Sequence, residues 1–101
     1  MKTKRQPTLQ SVLGPVEVAY VDEIVADGGK VLADTLGHVS FLRRRIQIKN
    51  GLHPTQEAHT LRHEWVHLVL FDSGAYNLFT ERNTEVLCDA LATALIAVPL
   101  P

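Results

Sequence analysis

The run from Thr60 to Leu70, reading Thr-Leu-Arg-His-Glu-Trp-Val-His-Leu-Val-Leu, constrains this chain more than any other stretch. It is helix-permissive, and a helix stacks residues four apart on one face, a turn above each other. His63 and His67 therefore present two imidazoles toward one point. Nitrogen donors at that spacing suit zinc, which binds them at about 2.0–2.1 Å without bending the backbone. Glu64, beside the first histidine, points to the same side and can act as general base toward a water that the metal activates. Leu61, Trp65, Leu68 and Val69 form an apolar stripe next to the histidines. A core helix with one functional face has that pattern.

A catalytic zinc takes three protein ligands and keeps one position open, so a third donor is needed. His59 continues the four-residue series. However, eight residues of helix rise about 12 Å, whereas two ligands of one ion lie within about 4 Å of each other. His59 is therefore a rim residue. The better source is a second helix carrying Glu85 and, one turn on, Asp89. Glu85 completes a His₂Glu set, and Asp89 can accept the spare ring N–H of a ligand histidine. Glu81 is the alternative donor, although helix N-terminal electrostatics already explain a carboxylate in a first turn. Cys88 reads as a buried small hydrophobe, with a soft metal ligand as its alternative. Tyr76 and His53 are the candidates for stabilising an oxyanion. A core-edge aromatic and a loop histidine are their plain alternatives.

The rest of the chain supplies the frame. Its 101 residues make one small domain with one modest core. A net charge of −1, without a basic excess, argues against nucleic-acid and membrane-surface partners. No signal peptide and no bilayer-spanning run is visible, and one cysteine forms no internal disulfide, so a cytoplasmic protein is expected.

Residues 1–8 read as a loose arm and 9–13 as a short helical turn stopped by Gly14-Pro15. A strand is expected from Val16, ending near a tight turn at Ala26-Asp27-Gly28-Gly29. Two further strands, 38–42 and 45–49, alternate well; Ile46 and Ile48 face the core, while Arg45, Gln47 and Lys49 face out. The cluster Arg43, Arg44, Arg45 reads as a solvated sheet edge. The metal helix should run from about 55 to 71 with Thr55 as N-cap, and the glutamate helix from about 80 to 98 with Val86, Leu87, Leu91, Leu95 and Val98 as its apolar positions. Pro99 stops it. The expected class is α+β: a sheet of about three strands packed on an active-site helix and a glutamate helix.

H-E-x-x-H followed on a second helix by E-x-x-x-D resembles the gluzincin group of zinc metallopeptidases, and His63, Glu64, His67, Glu85 and Asp89 match that pattern. The segments Ile46-Gln47-Ile48, Gly51-Leu52-His53-Pro54 and Thr60-Leu61-Arg62-His63-Glu64 look like compact phage and prophage members related to the ImmA/IrrE peptidases. The resemblance covers roughly residues 36–98. It departs at Val66, where relatives usually have glycine, and in the loose ending Val98-Pro99-Leu100-Pro101. It implies a zincin-like domain, Zn²⁺ as cofactor, and hydrolysis of a peptide or protein substrate by metal-activated water with Glu64 as base. An extended substrate is expected to add to a strand edge near residues 38–42. Two rivals remain: a non-catalytic zinc-binding interaction module, and a helical interaction protein that holds no metal.

Overall fold

The computed structural model describes residues 8–101. The arm expected over residues 1–8 lies outside them except for Thr8, which opens the first strand. In chain order the elements are β1 (Thr8–Ser11), β2 (Gly14–Val21), β3 (Gly37–Ser40), β4 (Arg45–Lys49), α1 (Pro54–Asp72), a 3₁₀ turn (Ala75–Leu78) and α2 (Glu81–Ala94). The strands form one mixed sheet in the order β1-β2-β4-β3, parallel between β2 and β4 and antiparallel at the other two junctions. The protein is thus a small α+β domain with four strands among the described residues, one more than expected.

The additional strand replaces the helical turn expected at residues 9–13. Leu9 pairs with Val16 across the β1–β2 hairpin and is fully buried, while Thr8 and Gln10 point outward. Gly14, at φ 124°, closes the hairpin in a conformation that side chains rarely adopt. A single helical turn fixes several residues for one hydrogen bond, so pairing plus burial of a leucine wins. β2 ends at Val21, earlier than expected, although the turn at Ala26–Gly29 forms, with the Gly29 N–H donating to the Ala26 carbonyl at 2.8 Å.

One face of the sheet packs on α1. Leu9, Val16, Val18, Ile46 and Ile48 meet Leu61 and Leu68 there, and each such side chain contributes roughly 1.5–3 kcal/mol by leaving water. The other face is covered as well. Ile24, in the segment between β2 and β3, is 1% exposed. Gln47, expected to face solvent, is buried on that side: its amide donates to the Val25 carbonyl at 2.7 Å and accepts from the Val25 N–H at 3.1 Å. Strand periodicity assigns Gln47 to the face opposite Ile46, but it does not tell what lies over that face.

The arginine cluster also departs from expectation, because β4 lies inside the sheet between β2 and β3. Arg43 and Arg45 pair with Asp27 and Glu17 at 3.6 and 3.0 Å. Arg44 adopts φ 51°, the one left-handed non-glycine among the described residues. Its guanidinium grips both oxygens of Asp72 at 2.8 and 2.9 Å and donates to the carbonyls of Pro15 and Gly14. These bonds offset a backbone cost of about 1–2 kcal/mol. They also tie the β3–β4 turn to the last turn of α1.

Asp72 has no exposed side-chain surface. Hydrogen bonds, chiefly from Arg44, hold its carboxyl down at about 2. A depressed folded value contributes stability above the unfolded value of about 3.9, and the contribution is lost as pH falls through the folded value. Asp72→Asn should therefore lower the urea midpoint near neutral pH, and the gap to wild type should close between about pH 4 and about pH 2. A gap independent of pH would contradict an ionic role for this pair.

α1 starts at Pro54 because His53, not Thr55, is its cap: the His53 Nδ1 accepts from the Thr55 N–H at 3.2 Å, and proline suits the first helical position. Thr80 caps α2 by accepting from the Asn83 N–H. α2 ends at Ala94, before Pro99 can act as a stop. Arg62 of α1 takes over at that end, donating to the carbonyls of Leu95 at 2.7 Å and Val98 at 2.6 Å. The buried face of α2 is also different from the expected one. Thr84, Cys88 and Ala92 are at most 2% exposed, whereas Val86 is 62% exposed, with Leu91 and Val98 also on the surface. Small side chains let α2 approach α1 closely. No helix among the described residues is long and apolar enough to cross a membrane.

Candidate metal centre

That close approach builds the site. Glu85 and Asp89 flank the Thr84–Cys88–Ala92 face of α2, so they overhang the histidine face of α1. The Nε2 atoms of His63 and His67 are 3.1 Å apart, Glu85 Oε2 lies 3.1 Å from the first, and Glu85 Oε1 lies 2.8 Å from the second. His63, His67 and Glu85 thus form a group close enough to hold a metal ion. With one ligand atom taken from each residue the three lie within 4.8 Å of one another, and bonds of about 2.0–2.1 Å in a tetrahedral shell would space them roughly 3.3 Å apart.

The outer ring nitrogens support the same reading. His63 Nδ1 lies 2.7 Å from Asp89 Oδ1, and His67 Nδ1 lies 3.1 Å from the Tyr76 hydroxyl. When the Nδ1–H of each neutral ring donates to its oxygen, both Nε2 atoms turn lone pairs inward. The two Nε2 atoms at 3.1 Å, each faced by one Glu85 oxygen at 3.1 or 2.8 Å, set lone pairs against one another unless a cation or a proton lies between them. Burial lowers the pKa of His67, which makes the neutral, ligating form the easier one to populate.

Glu64 is 9% exposed and lines the same cleft, a space of about 520 Å³ bordered also by Gly37, His38, His59 and Asp34. Burial pushes its carboxyl up to about 7, with Glu85 and Asp89 adding to the rise and His63 opposing it. A divalent cation at the trio acts in the opposite direction. Gly37, in β3, is where this cleft has no room for a side chain. A Cβ there would sit 2.6 Å from Thr60 Cγ2 and 3.2 Å from Glu64 Cγ. Glycine therefore lets the sheet edge lie directly against the Glu64 turn of α1.

The other candidates fall outside the trio. Tyr76 does not line the cleft; its hydroxyl is at His67 Nδ1, and its ring stands edge-on to the stacked pair Phe41 and Phe71. His53 is exposed and occupied as the cap of α1. Glu81 lies in the exposed first turn of α2. Cys88 is fully buried, and burial pushes its thiol up to about 12, far from thiolate formation at neutral pH. His59 sits on the rim, 3.3 Å from Thr93 Oγ1. The roles of Gly37, His38 and the Phe41–Phe71 brace are not visible in the sequence. A glycine opening an alternating strand was the only available signal.

Asp89 offers a direct measurement. Asp89→Asn removes the charged acceptor at His63 Nδ1 and should weaken zinc binding by about 10–100-fold in competition with a chelating dye. A change of less than about twofold would leave Asp89 without a role in orienting His63.

Comparison of the chain with protein-family models, curated proteins and solved structures finds no match. The reading of this centre therefore rests on its own geometry.

Proposed function

We propose that this chain is a zinc-dependent metallopeptidase with a zincin-like arrangement, hydrolysing peptide bonds in peptide or protein substrates. One observation carries the reading: His63, His67 and Glu85 converge from two helices while Glu64, between the histidines in sequence, faces the same cleft. Zinc is preferred because two imidazoles and one carboxylate with room for a fourth ligand are a common donor set of hydrolytic zinc sites. Bound there, zinc would supply Lewis acidity, lowering the pKa of water toward about 7 and polarising the scissile carbonyl.

The chain's own residues do the rest. His63 and His67 would hold the ion through Nε2 and Glu85 through its carboxylate, while Asp89 and Tyr76 fix the two rings. Glu64 takes the proton of the attacking water on its carboxylate and passes it to the departing amine nitrogen. Its low exposure keeps bulk water from competing for that proton. The free edge of β3 beside Glu64 supports an extended substrate held by strand addition. A single cysteine, buried and unpaired, favours a cytoplasmic setting.

Untagged protein should carry about one zinc ion per chain and hydrolyse a mixed peptide library, with activity lost to a chelator and restored by zinc. Zinc-loaded protein that cleaves nothing would favour the non-catalytic module. Protein with no zinc affinity would remove both readings.

A further inference from the structure

The cleft at the metal centre does not end at His38. The same residue lines a second groove of about 830 Å³ that continues along β3 past Val39 and Phe41 to Leu42 and Phe71. β3 is an edge strand, so both spaces run beside one open backbone edge. Lys49 N–H donates to the Leu36 carbonyl at 2.9 Å, which makes residues 36 and 49 a hydrogen-bonded antiparallel pair. By alternation His38 and Ser40 spend their backbone groups on β4, and Gly37 and Val39 turn theirs to the free edge.

The two spaces differ in chemistry. The first is bordered by Asp34, Glu64, Glu85 and Asp89, without a lysine or arginine among the described residues. The second has an apolar wall of Val39, Phe41, Leu42 and Phe71, with Asp27, His38 and Ser40 also lining it, and Leu42 is 84% exposed with Phe71 44% exposed. Phe71 is stacked flat against Phe41, ring centroids 4.3 Å apart, which makes the wall a continuous apolar surface. Leu42, on the β3–β4 turn, extends the Phe41–Phe71 surface into a contiguous exposed apolar patch at the groove's rim.

Resting on the peptidase reading of the metal centre, we infer that the groove of Phe41, Leu42 and Phe71 selects an apolar side chain of the substrate on the N-terminal side of the cleaved bond. The side follows from strand direction. Antiparallel addition is the more stable pairing, and it places the substrate's N-terminal part at the Phe41 end of β3 and its C-terminal part at the Leu36 end. The position follows from strand rise. Residue 40 is three residues from Gly37, about 10 Å along the edge, so the selected side chain lies two or three residues before the scissile bond.

The test uses the zinc-loaded full chain, a positional-scanning library of quenched fluorescent peptides, and the variants Leu42→Asp and Phe71→Ser. Leu42 is on the surface, so Leu42→Asp leaves the core untouched even if Phe71→Ser does not fold. Wild type should prefer leucine, phenylalanine or methionine two or three residues before the cut. Leu42→Asp should raise KM for those peptides roughly tenfold and leave kcat and the zinc content alone. Its effect on peptides with alanine there should be less than about twofold.

A preference confined to the C-terminal side, or an unchanged KM in Leu42→Asp, overturns the inference while leaving the peptidase intact. If no peptide is cut, binding of the same labelled peptides to the zinc-loaded chain is read by fluorescence polarisation. Binding that needs the apolar residue and Leu42 keeps the groove's assignment although the peptidase reading fails. Binding indifferent to both, or no binding, overturns it too.

Discussion

On the proposed peptidase reading, Glu64→Gln should keep its metal and lose hydrolytic activity: kcat/KM for a cleaved peptide should fall by roughly 10²–10⁴-fold. Glutamine has the same shape, so it fills the same 9%-exposed position above Gly37 and Thr60 without a new clash. What it lacks is basicity. The amide takes no proton from water and has none to return to the leaving amine, while the His63–His67–Glu85 trio is untouched. Zinc content and thermal midpoint should match wild type, and these controls separate lost chemistry from lost folding. Undiminished hydrolysis in this variant would remove Glu64 from the mechanism. A wild-type chain as inactive as the variant would point to a zinc-binding module.

Stripping the metal should produce the largest change in stability. At a free zinc concentration about a thousandfold above the dissociation constant, binding stabilises the native state by about 4 kcal/mol. In a domain of this size each kcal/mol moves the thermal midpoint by roughly 4–8 °C, so a chelator should lower it by about 15–30 °C. The local reason is the same crowding of lone pairs: His63 Nε2, His67 Nε2 and Glu85 sit within 2.8–3.1 Å of one another, and only a cation or shared protons relieve that contact. His67→Ala breaks the set, so its midpoint should respond little to zinc or chelator. A wild-type midpoint indifferent to both would argue that the trio is not a metal site.

Much of the centre could be read from residue spacing. His63 and His67 are four apart on one helix, and helix rise alone excludes His59 as a third ligand. β4 falls at residues 45–49, with Ile46 and Ile48 inward, because alternation of β-branched and polar residues has one favourable solution beside a core. The misreadings share a different cause. Leu9 looked like part of a weak helical turn because a strand of four residues carries too little pattern, and its partner Val16 decides it. Arg44 looked solvated because nothing in Arg43-Arg44-Arg45 announces Asp72, 28 residues away. Nothing near Tyr76 in sequence announces that its ring stands against Phe41 and Phe71 with its hydroxyl at His67 Nδ1.

Local sequence therefore determined the helix that carries two imidazoles and a glutamate, and the inward residues of β4. These depend on periodicities of 3.6 and 2, which act between near neighbours. Tertiary structure alone decided that α2 buries Thr84, Cys88 and Ala92 in place of its larger apolar residues. It also decided that Gly37 brings a sheet edge against Glu64. Both are matters of how closely two surfaces approach, which depends on the volumes of side chains far apart in sequence. The motif supplied the donors, and packing set the distance between them.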